Sequence, residues 1–143
     1  MLARLARLFH RPASAPVWVE PAELQRWLAG EGAPIVVDVR GPGEFSGPLG
    51  HIDGARNIPL GELPAHTQAL AAEGRPLIMV CLTDKRSSQA AAELVAGGTR
   101  DVAVLRGGMT ALIATVIVSS ARPRFGTMNF NISAKGQKYV SSN

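Results

Sequence analysis

The stretch Val80-Cys81-Leu82-Thr83-Asp84-Lys85-Arg86-Ser87-Ser88 is the most informative part of this sequence for the fold. It follows a continuous apolar run over residues 77–81, which is typical of a strand buried on both faces of a parallel sheet. Residues 86–96 then place Ala90, Leu94 and other apolar side chains at helical spacing, and Gly97 and Gly98 end that pattern. The sequence therefore predicts a buried strand that ends at the cysteine and a helix that begins a few residues later.

Further strands and helices alternate on both sides of this stretch. Apolar runs predict three more strands, at residues 17–19, 35–39 and 102–105, and a further short strand is expected at 56–58, after a glycine-rich loop. Helical spacing predicts two more helices, one carrying Leu24, Trp27 and Leu28 and one over residues 60–70. This alternation predicts an α/β domain with a mainly parallel sheet flanked by helices on both faces.

Length and charge limit the possible functions. The 143 residues suit a single domain. The net charge of +4 comes from the two ends, since residues 1–16 carry three basic residues, residues 113–143 carry four, and neither segment contains an acid. The part between them holds 8 basic and 11 acidic residues, so it lacks the basic face that nucleic-acid binding requires. We therefore expect no nucleic-acid partner.

The charge pattern also suggests three segments. They are a basic N-terminal extension over residues 1–16, the α/β domain over 17–112, and a tail over 113–143. Residues 113–118 are β-branched rather than helical in character, and the polar residues after them lack a helical or strand period, so we expect the tail to be poorly ordered. The apolar run at 111–118 is too short to span a bilayer, and we expect no stable membrane insertion.

Cys81 is the single cysteine of the chain, so no intramolecular disulfide can form. This fits a reducing compartment, and we expect a cytoplasmic protein. The first N–H groups of the following helix, together with Lys85 and Arg86, should favour an anion in the loop and stabilise a Cys81 thiolate. The alternative interpretation is an inert core cysteine followed by an ordinary helix start.

Four motifs, in order along the chain, resemble those of the rhodanese family. They are the strand with Asp-x-Arg at residues 35–40, Gly-His-Ile-x-Gly-Ala-x-x-Ile-Pro at 50–59, Cys-x4-Arg at 81–86, and the Gly-Gly turn at 105–109. Together they cover about residues 17–112, which the resemblance identifies as a rhodanese-like domain.

The resemblance implies a double-displacement sulfurtransferase without a cofactor or metal. Cys81 would be the catalytic nucleophile, and Asp38 and Arg40 would support the loop. The substrate would be bound by Leu82, Thr83, Asp84, Lys85, Arg86 and Ser87, with Arg86 orienting the donor. The implied partners are a small anionic sulfur donor such as thiosulfate and a cyanide or thiol acceptor, which could belong to a protein. His51 is expected to be a structural hydrogen-bonding residue rather than a general base.

The loop departs from the family pattern in two respects. Leu82 follows the cysteine where many members have an arginine, and no glycine occurs in the loop. Asp84 also lowers the net charge of the loop. A persulfide on Cys81 is therefore better supported by the sequence than thiosulfate as the preferred donor.

A non-catalytic binding or regulatory module is the main alternative function. A phosphatase is disfavoured, because that relative of the fold has five residues between cysteine and arginine and this loop has four.

Overall fold

The computed structural model describes residues 17–120, 132–134 and 137–139. The strands in these residues are β1 (Val17–Val19), β2 (Ile35–Asp38), β3 (His51–Ile52), β4 (Arg56–Asn57), β5 (Leu77–Val80), β6 (Val102–Leu105), β7 (Ile132–Ala134) and β8 (Gln137–Tyr139). The helices are α1 (Pro21–Ala29), α2 (Pro42–Phe45), α3 (Leu63–Ala72), α4 (Lys85–Ala96) and α5 (Gly108–Ser120), and a 3₁₀ turn (Leu60–Glu62) precedes α3.

A parallel sheet forms the centre of the fold. Its strand order is β1-β6-β5-β2-β4, and every neighbouring pair in it is parallel. Each residue of β2, β5 and β6 is buried, because both faces of these strands are covered. The predicted α/β class with a mainly parallel sheet and helices on both faces is confirmed.

Alternate residues of the strands enter two separate cores. On one face, side chains of the sheet pack with side chains of α1 and α5, including Leu24 and Met109. The sheet residues on this face include Val36, Ile78 and Ala103. On the other face, Leu77 and Met79 of β5 pack with side chains of α3 and α4. Cys81, the residue immediately after β5, belongs to this second core.

The prediction that residues 113–118 are not helical is wrong. Helix α5 runs through them to Ser120. Met109, Leu112, Ile113 and Val116 stand at positions i, i+3, i+4 and i+7, and all four pack against the core that α1 also covers. Burial of this apolar stripe outweighs the few tenths of a kcal/mol that each β-branched residue costs a helix.

The ends of the chain are described in part. Strand β3 pairs with β7, and β7 with β8, in a small antiparallel sheet. The predicted extension over residues 1–16 and the tail residues 121–131, 135–136 and 140–143 lie outside the described residues, and the predicted segment bounds stay a prediction. None of the described helices is both long enough and apolar enough to cross a membrane.

Candidate active site

The thiol of Cys81 lies at the start of helix α4. The backbone N–H of Ser87 donates to Sγ of Cys81 at an N···S distance of 3.4 Å, and the Ser87 hydroxyl lies 3.3 Å from the same sulfur. Ser87 is the third residue of α4, where an N–H group has no acceptor inside the helix. The sulfur therefore occupies the place of a capping oxygen at the positive end of the helix dipole.

Asp84 stands immediately before α4, yet its side chain does not cap the helix. Its Oδ2 instead accepts a hydrogen bond from the N–H of Gly107 at 3.1 Å. Within the described part of the chain, no acceptor pairs with the backbone N–H groups of residues 82–86. Unpaired N–H groups at a helix N-terminus favour an anion, so this loop can hold the oxygens of a negatively charged donor.

The turn before α5 holds the loop in place. Met109 donates its N–H to the carbonyl oxygen of Cys81 at 2.9 Å, and both the N–H and the hydroxyl of Thr110 donate to the carbonyl oxygen of Leu82 at 3.1 and 3.0 Å. Gly108 has a φ of +58°, and a Cβ atom there would overlap two carbonyl oxygens of the loop. The loop can approach this turn only because Gly108 has no side chain.

Arg86, the predicted donor-binding residue, forms a bidentate ion pair with Glu44 of α2. Both Nη atoms lie 2.8 Å from the carboxylate oxygens, and both side chains are partly exposed. The hydrogen bonds from Arg86, helped by the backbone N–H of Gly41 and the charge of Arg40, lower the pKa of Glu44 to about 2. The same hydrogen bonds, together with the negative charge of Glu44, raise the pKa of Arg86.

Glu44 was not assigned a role from the sequence. It lies 42 residues before Arg86, so no local spacing relates the two. The sequence shows that Glu44 follows a buried strand, but its pairing with Arg86 can be found only in the folded chain.

Asp38 and Arg40 form a second bidentate pair below the loop, with both side chains 1% exposed. Nη2 and Nε of Arg40 lie 2.7 and 2.9 Å from the Asp38 carboxylate. Arg40 also donates to the carbonyl oxygens of Gly50 at 2.8 Å and Glu44 at 3.4 Å, and the Asn57 side chain donates to the carbonyl oxygens of Arg40 and Asp38. The pair thus ties the end of β2 to the segment that carries Glu44.

Other predicted residues lie around the loop in different environments. The side chains of Thr83 and Lys85 are exposed, and Leu82 is partly buried. His51 contacts Phe45 rather than Cys81: its ring stacks on the Phe45 ring with centroids 3.6 Å apart, and its Nδ1 donates to the Phe45 carbonyl oxygen at 2.9 Å. These contacts suit a structural role for His51.

The opposite end of the sheet holds a cavity of about 350 Å³. Its lining includes Pro34 and Ile35 at the start of β2, together with Arg56 and Arg75. Ligand sites in parallel sheets lie at the carboxyl ends of the strands, where Cys81 is found. In the described residues, no three His, Cys, Asp or Glu side chains are grouped to hold a metal.

Comparison with known proteins agrees with this arrangement. The family described as Rhodanese-like domain matches residues 20–115. The chain is 37% identical over 84 residues to the uncharacterised protein YqhL of Bacillus subtilis, covering 59% of this chain and 64% of YqhL. It is 36% identical over 88 residues to the thiosulfate sulfurtransferase GlpE of Stutzerimonas stutzeri, covering 62% of this chain and 77% of GlpE.

A solved structure is also similar. The thiosulfate sulfurtransferase from Pseudomonas aeruginosa superposes with a TM-score of 0.64 at 25% identity, over 71% of this chain and 19% of that one. The chain therefore spans a small part of that protein and less than two thirds of YqhL.

Proposed function

The chain belongs to the rhodanese-like domain family, and from this we propose that it is a sulfurtransferase in which Cys81 carries a sulfane sulfur as a persulfide. The observation that carries the proposal is the 3.4 Å hydrogen bond from the Ser87 N–H to Sγ of Cys81 at the start of α4. This bond joins the only cysteine of the chain to the N-terminus of a helix, a position that supports a reactive thiolate. The named sulfurtransferases among its relatives support the same reaction class.

In the first half of the proposed reaction, the Cys81 thiolate attacks the outer sulfur of a small anionic donor such as thiosulfate. A new S–S bond forms to Cys81, the S–S bond of the donor breaks, and its electron pair leaves with sulfite. Unpaired N–H groups of residues 82–86 would bind the donor oxygens and then the terminal sulfur of the persulfide. Arg86, which Glu44 holds at the mouth of the loop, would orient the donor.

In the second half, an acceptor removes the sulfur. Cyanide, or the thiolate of a small molecule or a protein, attacks the terminal sulfur of the persulfide and leaves with it. The electron pair of the broken S–S bond returns to Cys81, which regenerates the thiolate. The reaction transfers one neutral sulfur atom, so it requires no redox cofactor.

A binding or regulatory module is the second candidate function. Cys81 is 1% exposed, and both Nη atoms of Arg86 already bind Glu44. A buried thiol and an occupied arginine would suit a domain that docks to a partner without catalysis. The sulfurtransferase proposal instead requires that a donor as small as thiosulfate reach the sulfur through the loop.

An intact-mass experiment separates the two candidates. The protein is incubated with thiosulfate and freed of excess donor, and its intact mass is measured by mass spectrometry. It is then treated with cyanide, and the thiocyanate that is released is measured. We expect the wild type to gain the mass of one sulfur atom, lose it to cyanide and release thiocyanate in equal amount. Cys81→Ser should gain nothing, because a hydroxyl at neutral pH is a far weaker nucleophile than a thiolate.

Two controls accompany this experiment. Circular dichroism should show that Cys81→Ser keeps the fold, and Ser87→Ala should still gain sulfur, because it keeps the backbone N–H that reaches Cys81. Thiocyanate production by Cys81→Ser, or a wild type that gains no sulfur from thiosulfate or any other sulfane donor, would contradict the proposed function.

A further inference from the structure

The ion pair between Glu44 and Arg86 controls the charge at the mouth of the loop. A guanidinium that binds a sulfur donor must offer it positive charge, and here the two terminal nitrogens of Arg86 are both 2.8 Å from carboxylate oxygens. Glu44 is itself held in place, because the N–H of Gly41 donates to its carboxylate and Nη1 of Arg40 donates to its backbone carbonyl oxygen. The pair is thus a fixed part of the site rather than a contact between two loose side chains.

The remaining charges near the loop do not replace the positive charge that Glu44 cancels. Lys85 is offset by Asp84, which stands beside it at the start of α4. Asp38 and Arg40 neutralise each other below the loop. The three acidic and three basic side chains around Cys81 therefore cancel, and the loop N–H groups and the helix end are left to attract an anion.

We infer that Glu44 is a positioning residue that sets the donor preference of this site. By holding and neutralising Arg86, it favours sulfane donors with at most one negative charge at the reacting group, such as thiosulfonates and thiol persulfides, over dianionic thiosulfate. This inference rests on the proposed function and narrows its substrate class. It does not require Glu44 to touch the donor, since Glu44 acts through Arg86.

Two donors that differ mainly by one charge test this inference. Thiosulfate is a dianion, whereas methanethiosulfonate has a methyl group in place of one oxygen and is a monoanion. Both give the same Cys81 persulfide, with sulfite leaving from the first and methanesulfinate from the second. The ratio of their rates therefore cancels any change in the reactivity of the thiol itself.

The experiment measures the second-order rate of sulfur loading by intact mass for both donors, at low ionic strength. Glu44→Gln should raise the ratio of thiosulfate rate to methanethiosulfonate rate by about twofold, which corresponds to one unit of charge about 8 Å away in water, on the far side of the Arg86 guanidinium. Arg86→Gln should lower the ratio, because it leaves the Glu44 carboxylate unpaired. Glu44→Asp, which keeps the charge, should stay close to the wild type.

Glu73→Gln is the matched control. Glu73 forms the other bidentate Arg–Glu pair of the described residues, with Arg56, and that pair is similarly exposed. Its removal should leave the donor ratio unchanged. The effect of Glu44→Gln should also narrow at about 1 M salt, where the Debye length is about 3 Å.

The outcomes separate the inference from the function on which it rests. A wild type that takes sulfur from neither donor refutes the proposed function. A wild type that takes sulfur from both, with the same donor ratio in Glu44→Gln, Arg86→Gln and Glu73→Gln, keeps the function and overturns the role of Glu44.

Discussion

Two arginine–carboxylate pairs lie at the carboxyl end of the sheet, and they differ in burial. Asp38 and Arg40 are each 1% exposed, whereas Glu44 and Arg86 are 42% and 39% exposed. Both pairs are bidentate, with their shortest N···O distances at 2.7 and 2.8 Å. The same type of ion pair therefore occurs in a buried and in a solvent-exposed environment within one site.

Burial decides what each pair can do. A buried pair is costly to break, because the remaining charge has neither water nor a partner, so Asp38–Arg40 is suited to fixing the scaffold. An exposed pair contributes little to stability, since water screens its charges. The exposure of Glu44–Arg86 leaves this pair open to a role in the chemistry of the loop, and two pairs of similar geometry need not have the same role.

Breaking the buried pair should have the largest effect. Arg40→Met leaves the Asp38 carboxylate buried without its partner and should lower the free energy of unfolding by about 3–5 kcal/mol. Urea denaturation followed by circular dichroism measures this loss. The double variant Asp38→Ala/Arg40→Met should recover part of it, because no unpaired charge is left. A single variant as stable as the wild type would show that the pair does not fix the scaffold.

Filling the space between the loop and the Gly-Gly turn should have the next largest effect. Gly108→Ala brings a methyl group onto the carbonyl oxygens of Thr83 and Cys81 at a φ of +58°, so we expect a loss of stability of about 1–3 kcal/mol and slower sulfur loading. Gly74→Ala is the control, because Gly74 has a φ of +61° with no atom within 4 Å of the added Cβ. Equal effects of the two variants on loading would contradict the proposed support of the loop by Gly108.

Breaking the exposed pair should change stability least. Glu44→Gln should lower the free energy of unfolding by about 0–1 kcal/mol, because water screens a pair in which both side chains are about two-fifths exposed. Glu73→Gln should likewise have a small effect, and thermal unfolding of both variants beside the wild type measures it. A loss from Glu44→Gln as large as that from Arg40→Met would remove the distinction between the two pairs.

The pH dependence sharpens the same comparison. The pKa of Glu44 is about 2 in the folded chain, below its ordinary value of 4.5, so its stabilising contribution is complete above pH 4.5 and is lost as the pH falls toward 2. The stability difference between the wild type and Glu44→Gln should be constant from about pH 8 to 5 and shrink below about pH 4.5. Thermal unfolding across this range measures it, and a difference that already shrinks near neutral pH would contradict the assignment.

Much of the fold could be predicted from local sequence. The continuous apolar runs at residues 35–39 and 77–81 identified strands buried on both faces, and they form the middle of the sheet. Helix α5 could not be predicted, because residues 113–118 favour a strand when read alone. Only the packing of its apolar stripe against the core made that segment a helix.

Local sequence was enough to predict the strand–cysteine–helix order and the place of Cys81 next to the start of α4. That order suffices because a strand, a short loop and a helix in succession fix the thiol by local geometry. The folded chain was needed to show that Glu44 pairs with Arg86 and that Gly108 packs against the loop. It was also needed to show that Asp38–Arg40 is buried while Glu44–Arg86 is exposed. These contacts join segments distant in sequence, and burial is a property of the packed chain rather than of any one segment.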